Sequence, residues 1–134
     1  MGLCETNKMK EKKEKSISNL KKEADRVFSL FIRKKYANWK DEVICFTCGK
    51  VFKITEIQNG HYVSRVYNNL RWSEKNCRPQ CYSCNVMKNG NMDEFAIRLE
   101  KETSGILQEL NMWKHRPSSS NTRNDLLMVI EKYK

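Results

Sequence analysis

No apolar run in this chain is long enough to cross a membrane, and no apolar leader stands at its N-terminus. Membrane insertion and export are therefore not expected, and the six cysteines are expected to meet a reducing cytoplasm as thiols or metal ligands instead of disulfides. Acidic residues are in deficit: 16 Asp and Glu stand against 26 Lys and Arg, a formal charge of +10. That imbalance favours a polyanionic partner, nucleic acid first. Histidine is scarce, with His61 and His115 alone, so imidazole chemistry has two addresses at most. No internal repeat is present, and 134 residues leave no room for a second catalytic domain.

The N-terminal stretch is basic, with seven lysines and three glutamates over residues 1–22 and little apolar content to bury. Residues 1–17 read as a flexible arm, followed by a single domain over 18–134 whose core is 43–91. From Ser18, a plausible cap, Leu20, Ala24, Val27, Phe28, Phe31 and Ile32 recur at helical spacing and predict an amphipathic helix. Its apolar face is expected to cover a core too small to stand unaided, with Tyr36 and Trp39 as packing aromatics. Val43–Cys45 and Lys50–Ile54 read as short strands, Asn59–Gly60 as a turn that starts an extended run at His61, and Leu70–Trp72 as a further extended piece. Helices are expected near Met92–Glu100, from Ile106 to Trp113 after an interruption at Gly105, and over Asp125–Tyr133.

Four cysteines carry the clearest chemistry. Cys45 and Cys48, then Cys81 and Cys84, form two Cys-x-x-Cys pairs about thirty residues apart. Paired thiolates on tight turns suit a tetrahedral Zn2+, and a site closed by four sulfurs is structural because it leaves no position for water. Cys4 and Cys77 are left as structural thiols, Cys77 being the one rival ligand. Any reaction must then occur beside the zinc.

His61 stands between the two cysteine pairs, Asn76 five residues before Cys81, and Asn85 directly after Cys84. These three positions resemble the HNH (His-Me finger) nucleases. The resemblance implies a zinc-stapled ββα core flanked by helices in an α+β fold, with His61 as general base, Asn76 as its orienter and Asn85 as ligand of a catalytic Mg2+ or Mn2+. More narrowly, Cys45-x-x-Cys48-Gly49, Gly60-His61-Tyr62-Val63-Ser64-Arg65, Leu70-Arg71-Trp72-x-Glu74-x-Asn76, Gln80-Cys81-x-x-Cys84-Asn85 and the later Gly90-Asn91 with Phe95-Ala96-Ile97-Arg98-Leu99 look like the phage NinG (Rap) recombination proteins, over about residues 20–112. The order of zinc pairs, histidine and asparagine is also similar to the junction resolvase endonuclease VII.

The resemblance implies a structure-selective DNA endonuclease acting on Holliday junctions and D-loops in a phage-infected or lysogenic bacterial cytoplasm, as a homodimer if cleavage is symmetric, alongside other phage recombination proteins. One position departs from the wider class: the usual metal-binding aspartate before the histidine is Gly60, for which Glu74 is the candidate substitute. DNA phosphates are expected at Arg65, Arg71 and Lys88, then Lys50 and Lys53. The alternatives are a zinc-knuckle DNA-binding accessory protein without catalysis, and an HNH enzyme that nicks ordinary duplex.

Overall fold

The structure, a computed structural model, describes residues 14–118 and 121–134. The expected basic arm and Cys4 fall almost wholly outside the described residues. A long helix, α1 (Ile17–Lys35), comes first, then two small hairpins, and three helices complete the chain. The fold is α+β.

Ser16 begins α1: its backbone is extended and its hydroxyl accepts the Asn19 N–H at 3.1 Å, so the cap lies two positions before the expected Ser18. Arg33, Lys34 and Lys35 end the helix where its dipole is negative. One face buries Leu20, Ala24 and Val27 against Leu126 and Ile130 of the last helix, α5 (Arg123–Tyr133). That helix is started by reciprocal capping between Thr122 and Asp125. Further along α1, Phe28 and Ile32 close over Cys77.

The first hairpin pairs β1 (Glu42–Ile44) with β2 (Val51–Lys53), as the sequence pattern predicts. The second pairs β3 (Gln58–His61) with β4 (Cys77–Gln80), setting His61 opposite Cys77 and Gly60 opposite Arg78. Between β3 and β4 the chain makes a short helix, α2 (Asn68–Arg71), and a 3-10 turn over Glu74–Asn76. After β4 comes a wide helical turn, Ser83–Met87, closed by Lys88 N–H donating to the Ser83 carbonyl at 2.9 Å. Helices α3 (Met92–Glu102) and α4 (Ile106–Lys114) then pack Phe95, Leu99, Ile106 and Leu110 onto Val63 and Leu70. Among the described residues no helix is long and apolar enough to cross a membrane.

Three local expectations are corrected. Leu70–Trp72 is not extended: Leu70 lies in α2 with its side chain in the core, an assignment that periodicity cannot make for a three-residue apolar piece. Trp39 does not pack; it is 88% exposed, whereas Tyr36 does pack, beside Cys77. Asn59–Gly60 is not a turn but the middle of β3.

Gly60 owes its place to close approach. It does not take a positive φ, yet a Cβ there would lie 2.0 Å from Gln80 Oε1 and 2.7 Å from Cδ. Gln80 cannot swing away freely, because its Nε2 donates to Thr47 Oγ1 at 3.1 Å and to the Gly90 carbonyl at 2.8 Å. Gly60→Asp is therefore expected to cost about 1–3 kcal/mol of stability through overpacking. A thermal melt that leaves Tm unchanged would contradict this account of the glycine.

Candidate functional site

The first hairpin brings Cys45 and Cys48 together on a turn closed by Gly49, whose φ of 79° is natural for glycine and whose N–H donates to the Cys45 carbonyl. Cys81 follows β4 and Cys84 lies in the wide turn after it. The four Sγ atoms all lie within 4.8 Å of one another, and Cys48 and Cys81 are 3.8 Å apart. Tetrahedral bonds of about 2.3 Å to one zinc require sulfurs about 3.8 Å apart.

The surroundings also suit thiolate ligands. Cys45 Sγ receives the Cys81 N–H at 3.3 Å and Cys84 Sγ the Asn91 side-chain N–H at 3.7 Å. Burial raises the Cys45 pKa, but the N–H groups of Cys81, Cys48 and Thr47 outweigh it and bring it down to about 6. The four cysteines are thus placed to hold a metal ion such as zinc. Cys77 takes no part: it is buried under α1, where burial pushes its thiol up to about 12.

The second feature is the loop from β3 to β4. Asn76, fully buried, pins it from inside: its Oδ1 accepts the Val63 N–H at 2.7 Å, while its Nδ2 donates to the carbonyls of Val63 at 2.9 Å and Leu70 at 3.0 Å. Val63 is two residues after His61 and Leu70 is one before Arg71, so the same amide sets both ends of the loop relative to each other. The Arg71 carbonyl lies 2.8 Å from His61 Nε2. A carbonyl can only accept, so Nε2 carries the imidazole proton and Nδ1 keeps its lone pair. Burial lowers the His61 pKa and outweighs the Arg71 carbonyl and Asp25, which raise it, so the neutral ring is favoured near pH 7.

Asn76→Ala would strand one N–H and two carbonyls in the core, a loss of about 2–4 kcal/mol. Asn76→Asp should do no better, since a carboxylate would face the Val63 and Leu70 carbonyls without a proton to give. Chemical denaturation of the two variants checks this; an aspartate that retains wild-type stability would rule the clamp out.

The remaining candidates are scattered around this loop. Asn85 donates to Gln58 Oε1 at 2.8 Å, which sets it on the β3 face that carries Gln58 and Gly60, and leaves its Oδ1 free of any bond to His61. Glu74 is directed elsewhere, to Lys35 Nζ at 3.2 Å and the Tyr133 hydroxyl at 3.3 Å. Arg71 is not a free cation: its guanidinium grips both oxygens of Asp25, at 3.0 and 2.6 Å, and the same carboxylate takes the Trp72 indole N–H. Arg65, Lys50, Lys53 and Lys88 are exposed, Arg65 lying 3.8 Å from Asp25.

Among the described residues the four cysteines form the one group of three or more His, Cys, Asp or Glu side chains that could hold an ion. Two amide oxygens on this side of β3 are candidate ligand atoms: Gln80 Oε1, which lies against Gly60, is buried and has no donor, and Asn85 Oδ1, whose amide is bonded to Gln58. They suit a hard cation in kind and bring it no charge, so any Mg2+ or Mn2+ there would be held weakly and would keep most of its water. Sequence reasoning missed Asp25 and Gln58, which lie in no motif, and gave no role to Gln80, although it opens the stretch Gln80-Cys81-x-x-Cys84-Asn85. The Arg71 carbonyl was beyond its reach, because a backbone acceptor leaves no trace in residue type.

Fold and site together define a small α+β protein in which four cysteines placed to hold a metal ion join two hairpins, the second of which carries at its end a histidine bonded through Nε2 to a backbone carbonyl. The model of the bacteriophage lambda NinG protein family matches residues 4–134. The chain belongs to that family. Neither a search of curated proteins nor one of solved structures finds a match.

Proposed function

We propose that this chain is a divalent-metal-dependent DNA endonuclease of the HNH class, selective for branched recombination intermediates such as Holliday junctions and D-loops. The observation that carries the reading is the bond between His61 Nε2 and the Arg71 carbonyl, which leaves Nδ1 as a free base. β3, β4 and the turn Ser83–Met87 are the ββα unit in this reading, and zinc in the cysteine cage is its staple.

His61 Nδ1 takes a proton from the water that attacks a phosphodiester, and Asn76 holds the loop that fixes the tautomer. Asn85 Oδ1 would hold a Mg2+ or Mn2+, which when bound supplies positive charge against the developing phosphorane and leaving oxygen. Arg65, Lys50, Lys53 and Lys88 are free to meet the DNA backbone. Arg71, paired with Asp25, and Glu74, paired with Lys35 and Tyr133, would each have to exchange these partners to meet a phosphate or a metal ion.

The second reading is a DNA-binding accessory protein without catalysis, favoured by Gly60 standing where the wider class has a metal-binding aspartate. Cleavage of an end-labelled four-way junction and its matched linear duplex, with Mg2+ or Mn2+, separates them. Cutting that needs His61 supports the endonuclease; binding without cutting across metals and pH supports the accessory protein. Equal cutting of junction and duplex keeps the nuclease and removes the branch preference.

A further inference from the structure

Trp39 is the least covered large apolar side chain among the described residues, at 88% exposure. It does not hang from a loose segment. Asn38 Oδ1 accepts the N–H groups of Lys40 at 2.9 Å and Glu42 at 3.0 Å, and the Asn38 N–H donates to the Glu42 carbonyl at 2.9 Å. Asp41, at a φ of 58°, donates its N–H to the Asn38 carbonyl and accepts the Ile54 N–H. The turn is therefore bonded inside and out, and it holds an uncovered indole in water. Beside it the outer face of the first hairpin shows a cross-strand pair of exposed apolar residues, Ile44 at 61% and Val51 at 58%.

The charge around this surface is specific in kind. Lys40 Nζ lies 5.0 Å from the Trp39 ring centre, and Lys50 and Lys53 are exposed on the same hairpin. Asp41 and Glu42 share the turn, Glu42 accepting from the Asn38 amide. Lysines alone would suit a row of phosphates. Two carboxylates on the same turn disfavour a phosphate at that point but cost a neutral base face little, so the indole suits a base while Lys40 and the exposed hairpin lysines take neighbouring phosphates.

We infer that Trp39 is a stacking platform for a base exposed at a DNA branch, and that the first hairpin is the element that tells branched DNA from duplex. In a continuous duplex every base face is covered by its neighbour; at a branch or in a single strand it is not. This rests on the proposed action on DNA and supplies the structure selectivity that the His61 site itself lacks. The span is suitable: Ile54, bonded to Asp41, is seven residues from His61, a reach of at most about 25 Å. Adding the hydrogen-bonded step to Asp41 and the two residues back to Trp39, the two backbones are at most about 37 Å apart, little more than one turn of duplex.

The test is equilibrium binding by fluorescence anisotropy, without added Mg2+ or Mn2+, of a four-way junction, a single strand and a matched duplex to wild type, Trp39→Ala and Trp39→Phe. Because the ring is in water, Trp39→Ala should leave Tm unchanged. It is expected to weaken junction and single-strand binding at least about five-fold, the lower end for one base on an aromatic ring. Duplex affinity should stay the same, and Trp39→Phe should recover much of the loss. Equal affinities for Trp39→Ala and wild type on all three DNAs would overturn the assignment.

So would a loss of self-association by light scattering with DNA affinity intact, which would give the patch to a second copy of the chain. The two readings fail separately. If wild type binds the junction through Trp39 but never cuts, the endonuclease is wrong and the platform stands. If cutting needs His61 while Trp39→Ala keeps full junction preference, the platform is wrong and the endonuclease stands. Wild type that binds none of the three DNAs overturns both.

Discussion

His61→Ala is expected to lower junction cleavage by a factor of about 10²–10⁴, the usual contribution of a positioned general base, while zinc content and junction affinity stay at wild-type levels. The fold should survive, because the ring is half-buried and its loss removes one hydrogen bond, that of Nε2 to the Arg71 carbonyl, worth about 1 kcal/mol. The pH profile gives a second, independent readout. Only neutral imidazole can accept a proton, so the rate should rise with pH as His61 deprotonates and then level off.

Burial lowers that pKa, so the midpoint of the rise should lie below the ordinary histidine value of about 6.5 and most of the rise should be complete by pH 7. Stability runs in the same direction. A pKa lower in the folded than in the unfolded chain contributes stability that is present above about pH 6.5 and lost as pH falls through the folded value. A His61→Ala enzyme with wild-type cleavage, or a rate still climbing steeply between pH 7 and 8, would remove His61 from the role of base.

What the sequence made legible here was whatever depended on fixed short spacings. Cys45, Cys48, Cys81 and Cys84 announce a cage because two-residue gaps bring thiols together under almost any surrounding fold, and their sulfurs do converge. The amphipathic pattern of α1 was readable for a similar reason: Leu20, Ala24, Val27, Phe28 and Ile32 define a face before anything is known of its partner.

Position in three dimensions was harder. Asn59–Gly60 has the chemistry of a turn, but the space it leaves is filled by Gln80 from the facing strand, a contact across twenty residues of sequence. Arg71 and Glu74 have the charge of a phosphate contact and a metal ligand; their actual partners, Asp25 on α1 and Lys35 with Tyr133, arrive from distant segments. Trp39 was misjudged because aromatic content alone does not say which rings a small core can cover. The errors at Asn59–Gly60 and Trp39 have one cause: a side chain's partner is fixed by packing at long range, while its chemical type is local.

The largest stability effect should come from the cage. Around it the core is slight, with Val43 and Ile57 the buried aliphatics beside the cysteines themselves, and four sulfurs within 4.8 Å can all be thiolates only with a cation among them, burial and the neighbouring Cys45 raising the Cys48 and Cys81 pKa otherwise. Zinc binding to sites of this kind is worth about 10–16 kcal/mol, as much as the whole stability of an ordinary domain, about 5–15 kcal/mol. Chelation, or Cys84→Ser, is therefore expected to abolish the cooperative melt and not merely to loosen the first hairpin.

Cys77 reports which of these happens. It lies four residues before Cys81 on β4 and is sealed by Phe28 and Ile32, so a thiol reagent should reach it only when α1 leaves the second hairpin. If the cage is the staple, Cys77 labels together with the cage thiols after zinc is removed, and His61, its partner across the strands, loses its geometry at the same time. Activity then vanishes although a zinc closed by four sulfurs never touches substrate, and only zinc restores it. Adding Mg2+ back after chelation tests the separation of the two metals: recovery with Mg2+ alone, Cys77 still shielded and zinc absent, would mean that the cage is dispensable for both fold and reaction.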